Sequence, residues 1–206
     1  MSKEKVAKQM FLVVLGQVIL GIGVSFIIFA DLGIDAFGVF HSGVANTFNI
    51  SFGAAMFYES LLALVVIFFV DKKYINFATV VSLFLVGFTA DLAGLALNSI
   101  MPDNLGFILN LIIVFVGTFI LSVGLNFYVL AGLGVGALDA VAEIITDKSR
   151  FEYKVVKMGN DLFFLGIGFL LGGKVGIATI LTAFTMGPTI QFVRERVSQP
   201  IKNWIS

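Results

Sequence analysis

Apolar residues run almost without interruption over residues 9–30, 52–70, 75–97, 106–130, 155–172 and 175–193, and polar residues gather in the gaps between these runs. Each run approaches or exceeds the ~20 residues with which an α-helix crosses ~30 Å of hydrocarbon. They are continuously apolar instead of alternating with period two, which predicts helices and argues against barrel strands. In lipid, every backbone polar group must find its partner within the protein, a condition that helices meet segment by segment. The expected fold is all-α, a polytopic membrane bundle of six transmembrane helices.

The pattern is then written a second time. At a shift of 101 residues Val13 falls on Val114, Gly16 on Gly117, Gly23 on Gly124, Phe26 on Phe127, and Leu32-Gly33 on Leu133-Gly134. A unit with three crossings must enter its second copy from the opposite side of the membrane. The duplication therefore predicts two inverted-topology repeats, about 1–100 and 101–206, within a single membrane domain. In each unit a long helix is followed by a short interrupted segment, Asp31 to His41 in the first and Gly132 to Val141 in the second, where glycines allow a sharp break. Helical spacing resumes after each break for only two or three turns, which is too short to span. Such a piece is either an interfacial connector or a re-entrant half-helix, which would aim its N-terminus into the protein.

Composition narrows the class further. With 59% hydrophobic residues, 13% charged and 23 Phe, and a mean hydropathy of +1.04, a chain this short cannot enclose its own apolar surface, and a lipid bilayer must cover the rest. Net charge is zero, but its distribution is uneven. If the amino terminus is cytoplasmic, twelve of the thirteen Lys and Arg residues fall on or near the inner side and only Lys174 falls outside. That is the positive-inside pattern for six crossings with both termini in the cytoplasm. Scattered along membrane borders, these basic residues suit topology and not nucleic acid. Cysteine is absent, which excludes disulfides and thiolate metal sites; no metal or other cofactor is expected. The amino-terminal apolar run is longer than a signal-peptide core and lacks an A-x-A cleavage pattern, so it is expected to remain in the mature protein.

Ionisable side chains inside apolar spans cost roughly 2.5–3.5 kcal/mol each on insertion scales and are functional candidates by default. Glu59, about two turns into its helix, and Asp91, about four turns into the next, are both expected in the outer half of the bilayer. They are read as a shared site for a proton or cation. The second unit has Asn160 at the Glu59 position, Gln191 at the Asp91 position and Asp161 beside them, which predicts a related polar cluster in the inner half, with Asp161 paired to Lys157 one turn earlier. Asp35 and Asp139 in the two breaks complete the candidate binding residues. Gln17, Ser25, Thr118 and Asn126 either extend a polar path between the clusters or bond helices together. Thr79, Ser82 and Thr89, like Thr179, Thr182 and Thr189, share a helix face and are read chiefly as packing hydroxyls. His41 is a lone connector histidine with no partner evident, and Pro188 beside Gly187 predicts a kink.

The segment Gly172 to Thr179, the string Gly187-Pro188-Thr189-Ile190-Gln191, the break Gly132 to Asp139 and the first-half string Leu32 to Val39 together resemble the YczE/YyaS/YitT group of small bacterial integral membrane proteins. The proline and arginine usual in that group's second break are Ala137 and Leu138 here. The resemblance implies a multi-pass plasma-membrane protein and assigns no activity.

Two function classes follow from the residues. The first is a small transporter or channel-like protein in which inverted repeats enclose a polar path for a proton, cation or small solute. The second is a membrane scaffold that docks a protein partner on segment 146–157, a mixture of charges and aromatics around Arg150 and Lys154. An enzyme is not expected, since H-E-x-x-H, G-x-S-x-G and phosphate-loop motifs are missing. Monomer and homodimer are both open.

Overall fold

The computed structural model describes residues 3–102 and 105–205, and of Lys154, named above for docking, the side chain lies outside the described residues. The described chain is all-helical: α1 (Lys3–Phe29), α2 (Ala36–Phe48), α3 (Phe52–Val70), a 3₁₀ turn at Lys72–Tyr74, α4 (Phe77–Ile100), α5 (Phe107–Leu130), α6 (Ala137–Lys148), α7 (Tyr153–Leu170) and α8 (Ile177–Ile205). The apolar runs and these helices coincide closely, except that α8 continues well past the apolar run, through Pro188 and Pro200. Four helices, α1, α3, α4 and α5, are long and apolar enough to cross a membrane. In α7, Lys154, Lys157 and Asp161 interrupt an 18-residue helix, and the later turns of α8 are strongly polar.

Helices α1 and α5 form the centre of the bundle and run antiparallel, because glycine lets their backbones touch. A Cβ on Gly23 would meet the Leu121 nitrogen at 2.4 Å, and one on Gly124 the Leu20 nitrogen at 2.4 Å. Gly16 lies against Gly124 and Gly23 against Gly117. At the 101-residue shift Gly16 corresponds to Gly117 and Gly23 to Gly124, so this set of contacts maps onto itself. Small residues are the usual means of close approach between helices that have no hydrophobic drive to associate in lipid. Helix α4 packs on α1, and α8 on α5.

The two breaks share one backbone path. Gly33 and Gly134 have φ of +100° and +98°, and the residues two positions earlier, Asp31 and Gly132, have φ of 56° and 70°. The turns dock reciprocally: the Ala178 amide donates to the Leu32 carbonyl at 2.8 Å, and the Ala78 amide to the Leu133 carbonyl at 3.0 Å. Each short helix then lies along a helix of the other half. α2 runs beside α7, with Phe37 and Phe40 against Phe164 and Gly43 against Gly168, and the Asn46 amide donates to the Gly172 carbonyl. α6 runs beside α3, where Ala63 and Ile67 meet Ala137, Ala140 and Ile144. The hydroxyl rows serve packing: Thr79 donates to the Val135 carbonyl at 2.7 Å, Thr182 to Ala178, and Thr189 to Thr185. Thr118 and Ser25 likewise bond within their own helices, while Asn126 ties α5 to the Ile190 carbonyl of α8.

Candidate functional site

Two polar centres form where the short helices meet α3 and α7, the first buried and the second half-buried. In the first, His41 on α2 and Glu59 on α3 meet with Nε2 and Oε2 2.9 Å apart, their side chains only 5% and 8% exposed. The Phe40 and Phe52 rings flank the imidazole at centroid distances of 5.9 and 5.6 Å. Glu59 Oε1 is buried and has no hydrogen-bond partner among the described residues. Burying an acceptor unpaired costs about 1–3 kcal/mol, so it calls for an explanation.

The second centre is assembled from three elements. Lys157 on α7 places Nζ 2.7 Å from Asp161 Oδ1 on its own helix and 3.5 Å from Asp139 Oδ1 in the first turn of α6. The same ammonium sits over the Phe37 ring, in the first turn of α2, 4.1 Å from its centroid. The opening turns of both short helices therefore reach one lysine. Asp35 is the residue before α2. Asn160, next to Asp161, holds a buried Nδ2 with no partner among the described residues.

The expected Glu59–Asp91 site is not assembled. Asp91 instead finishes the start of α3, where its carboxylate accepts from Ser51 Oγ at 2.5 Å and from the Gly53 amide at 2.8 Å. Ser51 caps α3 and Gly53 lies in its first turn, whose amides have no partner within the helix, and a carboxylate there is favoured by the helix dipole. Glu59 lies two turns further along and faces α2. Gln191 also leaves its predicted cluster, since it is exposed and donates to Glu195 at 3.1 Å. The Lys157–Asp161 pair holds as expected from its spacing. What the sequence reading missed is the partner of His41, 18 residues away in Glu59; the only available signal was that the sole histidine follows the break. No group of three or more His, Cys, Asp or Glu side chains among the described residues is placed to hold a metal ion.

Two cavities open at the end of the bundle that carries Asp31, Ser51 and Lys174. One of about 290 Å³ is lined by Ile34, Ser42, Phe52 and the Asp31–Lys174 ion pair. The other, about 480 Å³, is lined by Ser25, Ser51, Phe52 and Asp91. At the opposite end Tyr74 donates its hydroxyl to Asp147, and this bond holds its phenol above the ordinary value of 10.0.

Residues 7–195 match a family described as a family of unknown function (DUF6198). The chain belongs to this family. It is 28% identical over 181 residues to the "Uncharacterized membrane protein YczE" of Bacillus subtilis, covering 86% of this chain and 81% of that one. An "Uncharacterized protein" of Haemophilus influenzae is 27% identical over 174 residues, 84% of this chain and 78% of its own. No solved structure matches. Membership of the DUF6198 family agrees with the resemblance carried by the glycine-rich breaks, and with the apolar helices it identifies a membrane protein.

Proposed function

We propose that the protein is a small transporter or channel-like protein of the bacterial plasma membrane, moving an ion or small polar solute through two inverted three-span units, about 1–100 and 101–206. Both termini lie in the cytoplasm, α7 and α8 complete the six crossings, and the Asp31 end faces outward. The reciprocal contacts of Gly16, Gly23, Gly117 and Gly124, together with the matched docking of Leu32 on Ala178 and Leu133 on Ala78, support a two-fold axis in the membrane plane. On this reading α2 and α6 are re-entrant from opposite faces, with their N-termini near mid-membrane. That geometry is how transporters form binding sites from broken helices.

The observation that carries the proposal is the meeting of Phe37 from α2 and Asp139 from α6 at Lys157 on α7. Charges inside the bilayer persist where they pair or line a path, and here they join the two elements that such a protein would move. Asp35, Asp139, Asp161 and Glu59 outnumber Lys157 and His41, which favours a cationic or protonated passenger over an anion.

Because the chain has no cysteine, single-cysteine variants report directly on topology. Cysteines placed in 31–50 should react with an impermeant maleimide from the outside, and those in 132–153 from the inside; reaction of both from one side overturns the inverted arrangement. Proteoliposome uptake across a broad panel of cations and polar solutes should find one that Asp161→Asn or Glu59→Gln abolishes. If no solute moves, the transport reading fails and the docking role of segment 146–157 takes its place.

A further inference from the structure

We propose that His41 and Glu59 form a proton-exchange site reached from the Asp31 end of the bundle, with Phe52 as the barrier between the open cavities and the pair. The inference deepens the transport reading, on which it rests for the use of the proton as a coupling ion.

The ligand follows from what the pair offers. His41 and Glu59 spend one imidazole nitrogen and one carboxylate oxygen on each other, at 2.9 Å. Glu59 Oε1 is the remaining acceptor, in a side chain that is 8% exposed and with no partner among the described residues. A hard metal cation asks for about six oxygen ligands or more. Here one oxygen is open, the Phe40 and Phe52 rings occupy the flanks of the imidazole, and no cluster suited to a metal lies among the described residues. A proton requires only the single lone pair. With one proton between them the two groups are jointly neutral; gain or loss of another leaves a net charge in a low-dielectric interior, which is expensive. The pair therefore has a preferred loading when sealed and can change that loading only where water or a proton carrier reaches it.

The route follows from Phe52. Its ring lines both cavities and stands edge-on to His41, 5.6 Å between centroids and 78° between planes. On its open side are Ser42, Ser51 and Asp91, and on its closed side is the imidazole. Among the described side chains, the charged groups on the elements packed around the pair are Asp91 on α4, Asp139, Glu143, Asp147 and Lys148 on α6, and Lys157 and Asp161 on α7, with Asp35 just before α2.

The test uses the full chain in lipid nanodiscs and dicyclohexylcarbodiimide, an apolar reagent that modifies protonated carboxyls, with peptide mass spectrometry as the readout. Glu59 should be modified at acid pH and lose its labelling toward alkaline pH. His41→Gln keeps a polar contact but removes the group that shares the proton, so the pH profile of Glu59 labelling should change. Phe52→Ala should speed modification of Glu59 by a water-soluble carbodiimide severalfold. Glu59 left unmodified at every pH, labelling that does not vary with pH, or a His41→Gln curve superimposed on the wild-type one would overturn the site. An unchanged rate in Phe52→Ala would overturn the route. The wild-type curve stands even if a variant fails to fold. Normal pH-dependent labelling in a protein that carries no solute would sink the transport reading alone, and intact solute uptake with pH-independent labelling would sink only the proton site.

Discussion

The seam between α2 and α7 and the seam between α6 and α3 occupy corresponding places at the 101-residue shift, yet they are built from opposite materials. In the first, Gly43 faces Gly168, and a Cβ on Gly168 would come within 2.5 Å of the Phe40 backbone. In the second, the corresponding residues are Ile144 and Ile67, both buried in one cluster with Tyr74 and Ala140. The ends of the two seams are clasped alike: Thr47 Oγ1 donates to the Leu171 carbonyl, and the corresponding Lys148 Nζ to the Val70 carbonyl. The path of the chain is thus held in common while the spacing is set locally by side-chain size. Glycine brings backbones into contact, whereas isoleucine fills the gap with its own volume. The polar chemistry diverges in the same way. Glu59 corresponds to Asn160, and His41 to Ala142; Lys157 corresponds to Met56, Asp139 to Gly38 and Asp161 to Ser60.

The sharpest way to break the comparison is to put volume where the first seam has none. Gly168→Val should cost more than about 3 kcal/mol, since the obstacle is backbone and cannot rotate away. It should appear as loss of a monodisperse folded peak in detergent. Gly166→Val, two residues earlier and with nothing within 4 Å of its Cβ, should change little. Equal damage from the two would mean that α2 does not bear on α7 at Gly168. The converse change in the second seam is Ile67→Ala, which empties a fully buried site and should cost about 2–4 kcal/mol by thermal unfolding in the same detergent.

The polar centre gives a smaller effect. Lys157→Met leaves Asp139 and Asp161 without their cation and should destabilise by about 1–3 kcal/mol, less than a fully buried pair would because these side chains keep part of their exposure. Adding Asp161→Asn removes one of the two stranded charges and should restore part of the loss. A double variant that is worse than the single one would show that the ammonium does not serve as their counter-ion.

These differences mark how far sequence could be read. Helix positions were legible because lipid demands long apolar runs, and the break positions because Gly33 and Gly134 must adopt positive φ. Lys157–Asp161 was legible because spacing along a helix decides it. Lys157–Asp139 and His41–Glu59 were not, because each depends on how a short helix folds back along a neighbour, which no local pattern encodes. Asp91 misled for a related reason: an acid placed by counting turns into the membrane met the start of α3, where Ser51 and Gly53 already needed an acceptor. Seam spacing was hidden too, since the apolar runs do not say which residues of two segments will face each other, as Gly43 faces Gly168 and Ile144 joins Ile67.

The smallest effect concerns the far end of the second seam, where Tyr74 bonds to Asp147 and Lys73 lies 3.7 Å from the same carboxylate. At the other end Val175 takes the place of Tyr74 and Asn46 that of Asp147, so this phenol–carboxylate bond has no counterpart there. The hydrogen bond to Asp147 holds the Tyr74 phenol above its ordinary value of 10.0, with the Lys73 ammonium pulling the other way. The folded protein therefore keeps this proton to a higher pH than the unfolded chain does. Its contribution to stability is complete below pH 10.0 and is lost as pH rises through the folded-state value. Unfolding temperature should consequently fall on the alkaline side, and Tyr74→Phe, which has no proton to lose, should show a shallower fall from a slightly lower start. Parallel alkaline limbs for the two proteins would mean that the phenol does not clasp α6, and that the second seam is held by Lys148 and by the apolar cluster around Ile67 and Ile144.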